Sequence, residues 1–195
     1  MVLIVAVVGR SGSGKTVVIE YLIKYFSEGG YRVGAVKHVH HRGFTVDTEG
    51  KNTWRYAQAG ARVVAAVSPD EVAVMFKKTF CEGGDSLDQL IEVLGGELLD
   101  IVFIEGYRDL VAKRVDVLKV VTAKDVVCLQ EMLEEGVVES ILAVSGLVAK
   151  NSEEFLEGLK YPVVKVPEEG HVLVDLIKYR MSFRLGKGFE GLERV

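Results

Sequence analysis

One short motif constrains the fold of this 195-residue chain more than any other feature. The motif, Gly9-Arg-Ser-Gly-Ser-Gly-Lys15-Thr16, fits G-x-x-x-x-G-K-[S/T] and follows the unbroken apolar run Val2–Val8. Such a run is typical of a strand buried on both faces of a parallel sheet. After the motif, apolar residues recur at four-residue steps, which predicts an amphipathic helix from Lys15 to about Glu28. The chain therefore opens with a strand, a glycine-rich loop and a helix.

The same alternation of strands and helices continues along the chain. Further strands are predicted at 32–37, 62–67, 72–76, 100–104, 117–121, 140–144 and 163–166, and further helices at 53–59, 86–94, 124–133 and 172–181. Strands separated by helical stretches indicate βαβ units and a parallel sheet. We therefore predict an α/β fold of the P-loop NTPase type, with a mostly parallel sheet and helices on both faces. We expect one nucleotide-binding domain at 1–182 and a C-terminal tail at 183–195.

Composition excludes several classes of protein. Twenty-four basic against 28 acidic residues leave a formal charge of −4 and a pI near 5.7, which argues against a protein that binds nucleic acid through bulk charge. Cys81 and Cys128 are the only cysteines and form no CxxC pair, so neither a zinc ribbon nor a disulfide framework is expected. No stretch approaches the roughly 20 apolar residues of a membrane span. We expect a soluble, cytoplasmic protein that binds neither membrane nor nucleic acid.

The motif itself predicts a nucleoside triphosphate site that uses Mg²⁺. Its glycines allow successive backbone N–H groups to converge on an anion, and the start of the following helix adds its positive dipole end. Lys15 places an ammonium near the β and γ phosphates, and the Thr16 hydroxyl is suited to coordinate Mg²⁺. The predicted nucleotide-binding residues are Gly9, Arg10, Ser11, Gly12, Ser13, Gly14, Lys15, Thr16 and Val17.

Two acidic residues are candidates for the metal and for catalysis. Glu105 ends the apolar strand that begins after Asp100, and this is where an acidic residue of a P-loop protein reaches the metal or its water shell. Asp100 lies at the wrong end of the strand. Asp47 lies in a long polar loop, where it could hold Mg²⁺ or position water. An ordinary solvated carboxylate is the alternative for both Glu105 and Asp47.

Two further segments are open to more than one interpretation. Lys37, His38, His40 and His41 follow the second strand, and we favour contact with an anion, a substrate or a partner over zinc, because no HExxH or Cys partner exists. The guanine-reading tetrapeptide N-K-x-D is absent. In the segment Thr122-Ala-Lys124-Asp125, the Asp125 carboxylate could accept hydrogen bonds from the N1–H and the amino group of guanine. We favour the alternative, in which Thr122 or another neighbour of Ala123 caps the following helix. These patterns do not choose between GTP and ATP.

Taken together in order, the motifs resemble one known family. Beside the Gly9–Thr16 loop they are Val33-Gly-Ala-Val-Lys-His-Val-His-His41, Phe44-Thr-Val-Asp-Thr-Glu-Gly-Lys-Asn-Thr-Trp-Arg55, Ala59-Gly-Ala61 and Ile104-Glu-Gly-Tyr107. This series is similar to that of the molybdopterin-guanine dinucleotide biosynthesis protein B (MobB) family and spans about residues 2–110. Asn52 departs from the family, where this position is commonly acidic, and residues 111–195 show no matching motif.

The resemblance implies a GTP-binding adapter of molybdenum cofactor synthesis with weak Mg²⁺-dependent GTPase activity. It implies a homodimer that assists the MobA-type guanylyltransferase, the enzyme that joins GMP to molybdopterin. By this likeness Lys15 and Thr16 serve phosphates and metal, and Asp47 and Glu105 belong to the metal shell. Lys37–His41 and Lys51–Arg55 become candidate surfaces for a second anion or molybdopterin, with Lys51 and Arg55 as contact residues.

Two other functions use the same loop. A small-molecule or nucleotide kinase would use Asp47 as the base that accepts a proton from the phosphate acceptor, with Arg108, Lys113 and Arg114 as a sparse lid. A metal-insertion GTPase would hold its metal with the histidines that follow Lys37.

Overall fold

The computed structural model describes residues 2–39, 41, 43–77, 86–94, 98–134, 139–150 and 154–184. It divides into two compact units. The first comprises Met1–His38 and Val93–Val195, and the second comprises Val39–Glu92. Within the described ranges, no helix has both the length and the apolar character that crossing a membrane requires.

The first unit is built on a five-stranded, fully parallel sheet. Its strands are β1 (Leu3–Val8), β2 (Val33–Lys37), β5 (Ile101–Glu105), β6 (Val117–Ala123) and β7 (Ile141–Gly146), in the spatial order β2-β5-β1-β6-β7. The central strand β1 is therefore flanked by β5 and β6, which lie far from it in sequence. This arrangement confirms the predicted parallel α/β fold.

Helices cover both faces of this sheet. Helices α1 (Lys15–Glu28) and α7 (Gly170–Arg184) pack against one face, where Phe26 and Ile177 join Val5 and Phe103 in one buried cluster. Helix α5 (Val126–Glu134) contacts β6, and its buried Leu129 and Met132 lie outside that cluster, on the opposite face. Burial on both faces explains why β1 is apolar at every position. The remaining elements are α4 (Arg108–Val111), a short 3₁₀ helix (Val148–Lys150) and α6 (Glu154–Glu157).

The second unit contains a helix, a β-hairpin and most of a further helix. Helix α2 (Asn52–Gln58) precedes strands β3 (Val63–Val67) and β4 (Val72–Phe76), which pair antiparallel, and α3 (Ser86–Val93) follows them. In the turn between the strands, the hydroxyl of Ser68 accepts from the backbone N–H groups of Asp70 and Glu71. The two strands form their own sheet and share no ladder with the parallel sheet.

The predicted strand at 163–166 is wrong. Only Val163 pairs, in a single parallel bridge to Val144, and Val164 donates its N–H to the Val144 carbonyl. The ladder ends there because the N–H of Lys165 donates instead to the carboxylate of Glu169. Most other element boundaries fall within two residues of the prediction. Residues 185–195 of the predicted tail lie outside the described residues, so the division at residue 182 stays a prediction.

Candidate phosphate-binding site

The loop between β1 and α1 adopts a conformation that depends on its glycines. Gly12 and Gly14 have φ angles of 72° and 95°, in the left-handed region that other residues rarely adopt, and Gly14 is the N-cap of α1. No side chain caps this helix, so its first N–H groups remain available to a ligand. The loop therefore presents backbone donors and a helix N-terminus on the same side, as an anion cradle requires.

The ends of β6 and β7 hold this loop in place. A Cβ on Gly9 would lie 2.3 Å from the backbone oxygen and the hydroxyl of Thr122, so only glycine fits. The hydroxyls of Ser13 and Thr122 are 2.7 Å apart and buried. The backbone oxygen of Ser13 accepts from the N–H of Leu147, at 3.1 Å, just after β7. Sequence reasoning missed this support, although small and polar residues at the ends of both strands were the sign of it.

Lys15 folds back over the loop that contains it. Its ammonium donates to the carbonyl oxygens of Gly9, at 2.9 Å, and Arg10, at 2.8 Å. Burial lowers the pKa of Lys15 below its usual value, and repulsion from Lys37 adds to this while attraction to Glu105 opposes it. The ammonium therefore lies at the loop and is partly desolvated, which strengthens its attraction to an anionic ligand.

Glu105 meets Thr16 at the carboxyl ends of the central strands. In the sheet register Glu105 lies between Val7 of β1 and Lys37 of β2. Its Oε2 accepts from the Thr16 hydroxyl at 3.3 Å, and its Oε1 lies 3.0 Å from the Lys37 Nζ. Carboxylate and hydroxyl oxygens are ligands that Mg²⁺ prefers, so these two residues fit a metal position beside the loop.

Asp100, at the opposite end of β5, is fully engaged elsewhere. Its carboxylate accepts from the backbone N–H and the guanidinium of Arg32, at 2.7–3.1 Å. These bonds lower the pKa of Asp100 to about 2. The residue thus links the beginnings of β2 and β5, away from the loop.

Asp47 belongs to the second unit and is held by its own loop. Its Oδ1 accepts from the hydroxyl of Thr53, at 2.8 Å, and from the backbone N–H of Thr48, at 2.9 Å. Its Oδ2 is buried and has no hydrogen-bond partner within the described part of the chain. A buried carboxylate oxygen without a donor suits a cation, so the donor chemistry of Asp47 fits a metal ligand. Lys51 and Arg55, at the start and in the last turn of α2, are exposed.

The histidine segment is only partly described. The His38 ring stacks on Tyr107, with centroids 4.1 Å apart, directly after β2 and β5. Tyr107 has a left-handed φ of 54°, and no role was predicted for it although it ends the Ile104–Tyr107 motif. His41 is exposed, and His40 lies outside the described residues. Among the residues that the structure describes, no three His, Cys, Asp or Glu side chains form a group able to hold a metal ion.

The residue that caps helix α5 is not the one predicted from the sequence. Thr122 lies inside β6, and Asp125 caps α5 instead, because its Oδ1 accepts from the Cys128 N–H at 2.8 Å. The Asp125 carboxylate, which was the candidate for contact with a guanine base, thus serves as the cap of this helix. Lys124 crosses the loop, and its Cε lies 3.1 Å from the position that a Cβ on Gly12 would take. Arg10 of the loop pairs with Glu131 of α5.

The structure describes one of the two cysteines. Cys128 is buried and free, and Cys81 lies outside the described residues.

The parallel sheet and the glycine loop between β1 and α1 define a protein of the P-loop α/β class. The model of one family, molybdopterin guanine dinucleotide synthesis protein B (MobB), matches residues 4–141. The chain belongs to this family.

Individual relatives agree with this assignment. The chain is 36% identical over 105 residues to the molybdopterin-guanine dinucleotide biosynthesis adapter protein of Haemophilus influenzae. This match covers 54% of this chain and 57% of the relative. It is 37% identical over 106 residues to the probable adapter protein of Bacillus subtilis, over 54% of this chain and 58% of the relative. The match therefore spans less than two thirds of these relatives' own length. The crystal structure of Bacillus subtilis MobB superposes with a TM-score of 0.67 at 28% identity, over 89% of this chain and 96% of that chain.

Proposed function

We propose that this protein is a Mg²⁺-dependent GTP-binding adapter of molybdenum cofactor biosynthesis, with weak GTPase activity. One observation carries the nucleotide site: Lys15, Thr16 and Glu105 meet beside a loop whose glycines and helix N-terminus form an anion cradle. In this assignment Lys15 and the loop amides bind the phosphates. Thr16 and Glu105 would hold Mg²⁺, which would neutralise phosphate charge. Asp47 of the second unit stays a predicted metal ligand or water-positioning residue.

The adapter role rests on the family and on the names of its relatives. Proteins named as adapters of molybdopterin-guanine dinucleotide biosynthesis match 105 and 106 residues of this chain. We propose a homodimer whose partner is a MobA-type guanylyltransferase, and we propose cytoplasmic localisation. The stretches around the histidines and α2 are candidate contacts for that partner or for molybdopterin, through Lys37, His38, His40, His41, Lys51 and Arg55.

We expect slow hydrolysis. An adapter needs to hold the nucleotide rather than to turn it over, and the hydrogen bonds at Asp47 Oδ1 are taken by the residue's own loop. Turnover should therefore lie well below the usual enzyme range of about 1 to 10³ s⁻¹. Ordinary turnover by the isolated protein would contradict an adapter role.

The test of the nucleotide site compares two lysines of one helix. Lys15→Ala should weaken binding of Mg²⁺–GTP by at least about a hundredfold, because it removes a charge-assisted donor from a partly desolvated site. Lys24→Ala is the control, since Lys24 is exposed on the same helix and its Nζ lies 4.0 Å from the exposed carboxylate of Glu28. Calorimetry measures both affinities.

A thermal-shift panel then identifies the ligand. Binding to the folded state raises the melting temperature by mass action. We expect GTP with Mg²⁺ to stabilise the wild-type protein more than ATP, ADP or GMP, and Lys15→Ala to lose this stabilisation. Equal affinity of Lys15→Ala and wild type for GTP would refute the proposed site, and a preference for ATP would refute the base.

A further inference from the structure

The carboxylate of Glu105 is shared by two partners of very different exposure. Lys37 Nζ lies 3.0 Å from its Oε1, and the Thr16 hydroxyl donates to its Oε2. Only 16% of the Glu105 side chain is exposed, against 62% of Lys37. The carboxylate is therefore fixed by the residues packed around it, whereas most of the Lys37 side chain lies in solvent and can change its conformation.

The ammonium of Lys37 stands where a cation is expected. Thr16 and Glu105 are the two oxygen donors that fit Mg²⁺ beside the loop, and Lys37 already neutralises one of them. A divalent ion held by this carboxylate, directly or through its water shell, would carry more positive charge than an ammonium and would repel it. A metal ion at this position would therefore cancel the attraction between the Lys37 ammonium and the Glu105 carboxylate.

A nucleotide bound in the cradle would offer the Lys37 ammonium a second anion. Lys37 lies close enough to Lys15 for its charge to lower the pKa of that residue, although Lys15 is fixed to the carbonyls of its own loop. Both lysines therefore face one electrostatic region at the carboxyl ends of β1, β2 and β5. A nucleotide in the cradle fills this region with phosphate charge, and a triphosphate extends one phosphoryl group further than a diphosphate.

We propose that Lys37 is the residue that distinguishes a triphosphate from a diphosphate in this site. In the nucleotide-free chain the Lys37 ammonium pairs with Glu105, and with Mg²⁺ at that carboxylate it would donate to the terminal phosphate instead. This inference rests on the proposed nucleotide site and assigns to it a specificity-determining lysine outside the glycine loop.

The experiment compares affinities for a hydrolysis-resistant GTP analogue and for GDP, both with saturating Mg²⁺, by calorimetry. The wild type should prefer the triphosphate. Lys37→Met should reduce this preference at least about tenfold, the effect of losing one charge-assisted hydrogen bond. The loss should come from weaker binding of the triphosphate, while GDP binds as in the wild type. Lys24→Met is the matched control and should keep the preference.

Folding does not obscure this test, because the Lys37 side chain is 62% exposed and Glu105 keeps the hydrogen bond from the Thr16 hydroxyl when the lysine is replaced. Lys37→Gln serves as a second variant and should repeat the result of Lys37→Met, and Lys37→Arg should retain most of the preference. An unchanged triphosphate preference in both neutral variants would overturn the role of Lys37. If those variants keep the preference while Lys15→Ala loses nucleotide, only this inference fails. If the wild type binds neither nucleotide, the proposed function fails with it.

Discussion

Two stretches of similar composition have opposite surroundings in this protein. Strand β1 and the hairpin strands β3 and β4 are all unbroken apolar runs rich in Val and Ala. Every residue of β1 is buried, whereas one face of the hairpin is open to solvent, with 77% of Val67 and 63% of Val72 exposed. The side chains of this open face lie opposite each other in register and belong to Val63, Ala65, Val67, Val72, Val74 and Phe76.

The difference shows what covers a strand. In the parallel sheet the connections carry helices. Helix α1 and the C-terminal helix α7 cover the face that carries Val5, and α5 packs against β6. A hairpin adds no helix, because its two strands are joined by a tight turn. Only its other face carries a buried residue, Val64, beside the partly buried Met75. An apolar run thus predicts a strand, and its connections decide whether the strand is buried.

The largest contrast is expected between two glycines. In Gly9→Ala the new methyl group would lie 2.3 Å from atoms of Thr122, which include backbone, so we expect a loss of about 3 kcal/mol or more in the free energy of unfolding. Gly50→Ala in the second unit has a φ of 82° and nothing within 4 Å, so only the backbone strain of about 1 kcal/mol applies. Urea unfolding measures both. Equal losses would show that close packing does not set the loop apart.

A second contrast uses one substitution in both regions. Val5→Ala removes two buried methyl groups between the sheet and its helices and should cost about 2 to 3 kcal/mol of unfolding free energy. Val67→Ala should change it by less than about 0.5 kcal/mol. Urea unfolding at several protein concentrations provides the measurement. A loss at Val67 as large as that at Val5 would show that the hairpin face is covered in solution.

The smallest effect probes how far the sheet unit excludes water. Lys119 in β6 is fully buried, its ammonium donates to the Arg114 carbonyl, and burial lowers its pKa from 10.5 to about 8 despite the attraction of Asp116 and Glu139. Between pH 8 and 10.5 the unfolded chain binds more protons at Lys119 than the folded chain does. The contribution of Lys119 to the free energy of unfolding therefore rises with pH.

The corresponding measurement is a difference between two proteins. From pH 8 to 10 the wild type should gain about 1 to 2 kcal/mol of unfolding free energy relative to Lys119→Met, which cannot titrate at this position. Urea unfolding at pH 7, 8, 9 and 10 gives this difference. A constant difference across the range would mean that the ammonium stays charged inside the fold.

Much of the site follows from local pattern. A buried strand, a glycine loop and Lys15–Thr16 occur in direct succession, so their geometry depends on neighbouring residues. Glu105 was separable from Asp100 because the direction of a parallel strand decides which end meets the loop. The support from Thr122 and Leu147 was not predictable in this way, since more than 100 residues separate them from Ser13. Likewise Asp125, rather than Thr122, caps α5, because the strand continues two residues beyond the predicted end.

Apolar periodicity and glycine placement were thus sufficient to specify a parallel α/β protein with a phosphate loop, because these preferences act over a few neighbouring residues. The order of strands around β1, the lysine shared with Glu105 and the open face of the hairpin depend on segments brought together from distant parts of the chain. Their energies come from packing and charge across space, which a linear pattern does not encode.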